Sequence, residues 1–221
     1  MLYSLEAARD NIRNREGKRV FYLGKGDQLT SDARDFLARE RIEILPADQA
    51  KPQRWKLENG GFMEEKPEHM THLNGDTLVP KTHPRIAFRG AMDSLEAEMM
   101  LCQLKLPHLK APLGEILQLA RDILRCEVLD QPLQERKLCG LTEDEQRSRS
   151  HRPQDYYGQP HFMPQVTDGE TILRLNKLRT AVRAAELKAQ AALPYRQDIL
   201  RAMNRMSSMV YLLMIAEKAN K

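Results

Sequence analysis

The chain of 221 residues is poor in aromatic residues, at 5%, and holds only three cysteines, Cys102, Cys126 and Cys139. Few aromatics beside much Ala, Leu, Met, Arg, Glu and Lys argue against a β-sandwich and favour helices. An odd number of cysteines with no close pair excludes a disulfide framework and suits reduced thiols in a cytosolic protein. No apolar run reaches the ~18 residues that a membrane span needs. The charged start, MLYSLEAARDNIRNREG, lacks the apolar region of a secretory signal. Also missing are GxxxxGKS/T, GxGxxG, HExxH, CxxC and GxSxG, which removes the common phosphate-loop, dinucleotide, zinc-protease and serine-hydrolase readings.

What is present suits a globular protein. Hydrophobic residues are 41% and charged residues 30%, which argues against disorder. Lys and Arg number 35 against 31 Asp and Glu, a net charge of +4. With a pI near 9.0 the chain is only mildly basic, so neither a nucleic-acid nor a membrane partner is expected. Small anions such as nucleotides need only a few placed cations.

Two regions follow from the patterning. Arg19-Val-Phe-Tyr-Leu23 and Ile42-Glu-Ile-Leu45 read as short strands around a helix that Thr30 or its neighbours cap, a small α/β unit. Gly24-Lys-Gly-Asp27 is either a plain turn or a phosphate cradle. From Pro46 to Pro84 the chain is rich in Pro, Gly and polar residues, with turns at Asn59-Gly-Gly61 and Asn74-Gly75 and Thr77-Leu-Val79 as a hairpin arm. Beyond Pro84, apolar residues recur at three- and four-residue steps in four stripes, led by Met92, Leu113, Leu175 and Ile199. Thr142 with Glu145 makes a capping box for a shorter helix. A bundle of four or five helices is expected. His151 to Gly169, with three prolines and two glycines, reads as a loop.

Polar residues sit beside the stripes. Asp93 adjoins Met92, Arg179 and Arg183 share one helix face, Glu186 follows one turn on, and Asn204 adjoins Met203. Spacing alone leaves two readings, a solvated face with routine pairs or the edge of an anion-binding cleft. His69 and His72 are too few for a structural metal site, which takes about four ligands.

The segment from Thr71 to Leu95 resembles the hallmark of the ATP:cob(I)alamin adenosyltransferases. Lys81-Thr-His-Pro-Arg85 and Gly90-Ala-Met-Asp93-Ser-Leu95 are similar to the Lys-Asp-Asp-Pro-Arg run and Gly-x-x-Asp-Glu-Leu helix start of the propanediol-utilisation (PduO) type. Leu178-Arg-Thr-Ala-Val-Arg-Ala-Ala-Glu186 and Met203-Asn-Arg-Met-Ser207 resemble two further motifs of that family, in the same order. Thr71-His-Leu, Ser94 and Gln28-Leu-Thr-Ser-Asp-Ala-Arg34 look closest to its ethanolamine-utilisation (EutT-type) branch.

The resemblance implies a mainly α protein, a five-helix bundle over residues 71–221 with a small N-terminal α/β extension over 1–70. It implies a homo-oligomer, trimer or dimer, with active sites between subunits. Thr71, Lys81, Arg183, Glu186 and Asn204 would bind ATP with Mg²⁺. Asp93 and Arg179 would form a catalytic ion pair between subunits. Phe162 would pack under the corrin ring of cobalamin. A cytoplasmic site, with bacterial microcompartments as one setting, and an adenosylcobalamin-dependent lyase as partner also follow. Two departures stand out. Where the PduO type has a Thr-Arg-x-Gly-Asp-x-Gly-x-Thr phosphate loop, Glu64-Glu-Lys-Pro-Glu-His-Met-Thr71 keeps only the last Thr. The Cys-Cys-x-x-Cys metal cluster of some EutT-type members has no counterpart between Arg54 and Lys66, so no metal ligand is assigned.

The implied reaction suits the inventory. Cob(I)alamin is itself the nucleophile, so the protein needs proximity, cations for the departing triphosphate and an apolar seat. The expected activity is therefore transfer of the 5′-deoxyadenosyl group from ATP to cob(I)alamin. The missing phosphate loop leaves a non-catalytic corrinoid carrier on the same bundle as the alternative. The pI of 9.0 leaves a helical scaffold for nucleic acid as a third.

Overall fold

A computed structural model describes residues 1–15, 17–49 and 55–220. It divides into two compact units, Met1–Lys66 and Pro67–Lys221.

The first unit begins with β1 (Leu2–Tyr3) and α1 (Leu5–Asp10), followed by β2 (Ile12–Arg15), β3 (Lys18–Leu23), β4 (Gln28–Leu29), α2 (Ser31–Arg39) and β5 (Glu43–Pro46). β1, α1 and β2 fall outside the sequence expectation, because short polar segments such as Ile12–Arg15 carry no apolar alternation. β3 pairs antiparallel with β2 and parallel with β5, Phe21 standing opposite Ile44. α2 is the crossover between the parallel strands, and Thr30 caps it by accepting from the Ala33 amide at 3.3 Å. Ala8, Phe21, Leu29, Ala33, Leu37 and Ile42 form a core, with Tyr3 edge-on to Phe21 at 5.2 Å. The Gly24–Asp27 segment is a plain turn. The Gly24 amide donates to the Asp27 carboxylate at 3.2 Å, so this N–H is not free for a phosphate. β6 (Trp55–Leu57) and β7 (Phe62–Met63) form a hairpin closed by Asn59-Gly-Gly61. Residues 50–54 of the expected polar stretch lie outside the described residues.

The second unit opens on a hairpin of β8 (Met70–Asn74) and β9 (Thr77–Pro80), in which Thr71 stands opposite Val79. Its turn uses Gly75 at φ 48°, a conformation glycine adopts without a Cβ clash. The stretch read as irregular thus holds two hairpins, of which only the Thr77–Val79 arm was expected.

The bundle consists of α3 (Pro84–Lys105), α4 (Lys110–Val128), α5 (Glu143–His151), the single turn α6 (Pro153–Tyr157), α7 (Gly169–Ala192) and α8 (Gln197–Ala219). Pro84 occupies the first turn of α3, where its missing N–H leaves no bond unmade. Thr142 and Glu145 form the expected capping box of α5. The four apolar stripes meet in one core that includes Phe88, Met92, Leu113, Ile116, Leu175, Val182, Met203 and Met206. α3 and α7 run antiparallel, since Lys177 bonds Glu98 at 2.9 Å while Arg174 lies against Cys102. α7 and α8 are likewise antiparallel. The segment read as a loop between His151 and Gly169 contains α6, which starts on Pro153 and stops on left-handed Gly158. Proline there begins a helix rather than excluding one. No helix among the described residues is long and apolar enough to cross a membrane.

Candidate active site

On α8, Asn204, Ser207, Ser208 and Tyr211 follow the i, i+3, i+4, i+7 spacing of one helix face. On α7, Arg179, Arg183 and Glu186 do the same. Antiparallel packing sets the two rows against each other. Arg179, Arg183, Asn204, Ser207, Ser208 and Tyr211, closed by Ser150, His151 and His161, line a cleft of about 300 Å³.

Charge in this cleft is unbalanced. Arg183 is exposed, and its side chain makes no hydrogen bond or ion pair among the described residues. The Arg179 guanidinium lies 5.8 Å from the centroid of the Tyr211 ring, a cation–π distance, and no carboxylate among the described residues pairs with it. Its Nε is buried without a hydrogen-bond partner. Burial pushes the Tyr211 phenol above its ordinary pKa, and the Arg179 charge works in the other direction. The carboxylate beside the cleft, Glu186, accepts from Asn204 Nδ2 at 3.3 Å. Arg205 donates to Asn204 Oδ1, which fixes the amide with its NH₂ toward Glu186. Two cations against one hydrogen-bonded carboxylate make a seat for an anion.

A second arginine group lies where the hairpin meets the bundle. Glu127 on α4 is 0% exposed. It accepts from Arg85 Nε and, through Oε2, from Arg89 Nε at 2.7 Å. Arg89 Nη1 also donates to the Leu73 carbonyl at 2.7 Å, tying the hairpin to α3. Of the residues expected to bind ATP, Thr71 and Lys81 sit on this hairpin end. Thr71 is half-buried in β8, and Lys81 is exposed with no side-chain bond or ion pair among the described residues. Continuing the α3–α7 pairing sets Arg183 level with Met92 and Asp93. Lys81 precedes that level by the whole first part of α3, roughly 14 Å along the axis at 1.5 Å per residue. Within one protomer, then, Arg179, Arg183, Glu186 and Asn204 come together, while Thr71 and Lys81 stand apart.

Asp93 is exposed and pairs with neither Arg179 nor any other described residue. Phe162 is half-buried against the bundle core, with Lys218 Nζ 5.6 Å from its ring centroid. Lys218 is in turn bridged to buried Asp168. Next to Phe162, His161 reaches the Tyr211 hydroxyl through Nδ1 at 2.6 Å and the His151 carbonyl through Nε2 at 3.2 Å. Among the described residues no group of three His, Cys, Asp or Glu could hold a metal ion.

The sequence reading missed Ser208, Tyr211 and His161, and named Arg205 and Ser207 only as members of the Met203–Ser207 motif, without a role. For the α8 residues a signal was there, because counting three, four and seven on from Asn204 lands on polar side chains in an otherwise apolar helix. For His161 there was none beyond its neighbour Phe162.

Residues 62–217 match the family described as Cobalamin adenosyltransferase. The chain is 39% identical over 161 residues to the corrinoid adenosyltransferase EutT of Salmonella typhimurium, covering 70% of this chain and 60% of that one. With the EutT of Escherichia coli K12 it shares 36% identity over 157 residues, 68% of this chain and 59% of the other. The match thus spans about 60% of the length of these relatives. A variant of the PduO-type ATP:corrinoid adenosyltransferase from Lactobacillus reuteri, solved with cobalamin and ATP, superposes with a TM-score of 0.51 at 20% identity, over 69% of this chain and 91% of that one. At that identity the likeness speaks for the bundle fold.

Proposed function

The chain belongs to the cobalamin adenosyltransferase family, and from that premise we propose that it transfers the 5′-deoxyadenosyl group of ATP to cob(I)alamin, with residues 71–221 as the catalytic domain. The observation that carries this reading is the α7–α8 cleft with two arginines that pair with no carboxylate among the described residues. In the reaction the electron pair of Co(I) forms the cobalt–carbon bond to C5′. The C5′–oxygen bond breaks, and its electrons leave with triphosphate. Negative charge therefore gathers on the leaving group, where Arg183 stabilises it. Asn204, held by Arg205 and Glu186, offers a fixed amide beside it. Mg²⁺ would be bound mainly by phosphate oxygens, as is usual for this ion, with the Glu186 carboxylate beside the cleft. Phe162 would supply the apolar seat for the corrin.

Lys81 and Thr71 join this site only from a second copy of the chain, and Asp93 reaches Arg179 only in the same way. Three features support that assembly. Among the described residues, no carboxylate pairs with Arg179 and no cation with Asp93. Around Asp93, α3 turns outward a row of Gly90, Ala97, Leu101 and Leu104, the last two 52% and 72% exposed. A Cβ at Gly90 would meet nothing within 4 Å, so the glycine answers no need inside the protomer. A homo-oligomer with shared sites follows, in the cytoplasm, handing adenosylcobalamin to a lyase that depends on it.

An anaerobic assay with cobalamin, reductant and ATP tests the proposal. A cobalt–carbon product and free triphosphate are expected, and their absence overturns it. Cobalamin binding without ATP binding in calorimetry would instead select the carrier reading, which the Glu64–Thr71 stretch favours by keeping one residue of the phosphate loop.

A further inference from the structure

We propose that His161 is a positioning residue, a latch that holds the Phe162 loop on α8 through Tyr211. The proton inventory of the ring carries the argument. Its Nε2 faces the His151 carbonyl at 3.2 Å, and a carbonyl only accepts, so Nε2 bears the hydrogen. In the neutral ring Nδ1 is then the acceptor, and the Tyr211 hydroxyl donates to it at 2.6 Å. The two rings also stack, 11° from parallel with centroids 5.8 Å apart. Both nitrogens are thus consumed by the chain's own groups, one at the end of α5 and one on α8. The imidazole has no free lone pair or proton with which to act on a substrate.

The loop needs such an anchor. Residues 159–165 between Gly158 and the turn at Val166 are without regular structure. Met163 and Val166 are 83% and 85% exposed, so apolar burial holds little of the segment. The fastenings are His161 on Tyr211 and on the His151 carbonyl, the Phe162 ring against the bundle core beneath Lys218, and the Gln165 amide on the Asp168 carboxylate. Tyr211 presents its hydroxyl to His161, and the Arg179 guanidinium lies 5.8 Å from its ring. The same side chain therefore joins the seat assigned to the corrin and the arginine proposed to meet Asp93 of a second copy. That second meaning rests on the adenosyltransferase reading, whereas the latch itself does not.

Hydrogen–deuterium exchange on the full chain tests the latch in Tyr211→Phe, which keeps the ring and removes the hydroxyl, in His161→Ala and in the double variant. Tyr211→Phe should speed exchange of the non-proline amides between 159 and 165 about five- to tenfold, the loss of one hydrogen bond, and His161→Ala, which also frees the His151 carbonyl, at least as much, with α7 and α8 unaffected. The double variant should be no faster than the faster single one, since both break one link. His161→Asn, whose Oδ1 stands where Nδ1 stood, should restore part of the protection. In turnover, KM for the corrinoid should rise by a similar factor, and by more than KM for ATP. Unchanged exchange in both single variants overturns the latch, as do effects that multiply. Faster exchange with an unchanged corrinoid KM overturns the positioning role. Should the wild type transfer no adenosyl group, the exchange measurements still decide the latch.

Discussion

Two pairs of arginines in the helical unit meet opposite fates. Arg85 and Arg89 close on Glu127, a carboxylate with no exposed surface, and Arg89 spends a further N–H on the Leu73 carbonyl. Arg179 and Arg183 face a cleft and have no carboxylate at all among the described residues. Both pairs are spaced i, i+4 on long helices, so helix geometry does not separate them. What separates them is whether the fold brings up an anion. Where it does, the arginines fasten a hairpin to a bundle. Where it does not, positive charge is left for something outside the chain. A guanidinium whose Nε is buried without a partner costs stability, and a chain keeps such a group where a ligand or a second subunit settles the charge.

The contrast can be broken from either side. The largest effect is expected from Glu127→Ala, which strands two guanidiniums without their acceptor. Loss of one partner from a buried ion pair costs about 3–5 kcal/mol, and in a chain of this size the melting temperature should fall by roughly 10 °C. Calorimetric melting of the variant measures it, and an unshifted transition would sever the hairpin from its proposed anchor. Next comes Arg183→Ala. Removing a charge-assisted contact to phosphate should lower kcat/KM for ATP by about 2–3 kcal/mol in activation free energy, with the melting temperature kept. Wild-type kinetics would take Arg183 out of the site.

Asp93→Asn is expected to act more gently, lowering activity about tenfold and shifting sedimentation toward smaller species, because its partner is proposed to lie on another subunit. Full activity with unchanged assembly removes it from the interface. The smallest effect concerns an arginine pair of the first kind. Asp198 accepts from Arg196 and from the Leu133 amide at 2.9 Å, and the Arg196 guanidinium holds its carboxyl far below the ordinary 3.8. A depressed carboxyl stabilises the fold above its unfolded pKa, and that contribution is lost as pH falls through the folded one. Denaturant titrations from pH 6 to about pH 3 should show wild-type stability dropping in the acid range and Asp198→Asn flatter there, at a cost of about 1 kcal/mol near neutrality. Parallel curves for the two proteins would mean that the Asp198 carboxyl does not contribute.

Much of the bundle was legible beforehand, because burial repeats with the helix. Met92, Leu113, Leu175 and Ile199 lead stripes and are themselves fully buried, while Val128, at the end of the second stripe, is 39% exposed. Capping chemistry is equally local, so Thr142 with Glu145 announced α5. Hairpins β6–β7 and β8–β9 were less legible, since a strand of two to five residues offers little alternation to count. Arg179, Arg183, Glu186 and Asn204 could be named as a group from spacing and resemblance. Spacing left open whether they formed a cleft or a wet helix face, and the antiparallel seating of α8 on α7 decided it.

Side-chain identity and period, which act over one or two turns, settled on their own that this chain builds amphipathic helices and which face of each is apolar. Which arginine finds a carboxylate depends on partners such as Glu127 for Arg85, 42 residues apart in the chain and 2.9 Å from guanidinium to carbonyl in space. No local rule carries that distance, because Coulomb and hydrogen-bond energies depend on separation through space. Packing alone determined that Glu127 is filled, that His161 spends both nitrogens, and that the α7–α8 cleft keeps its positive charge.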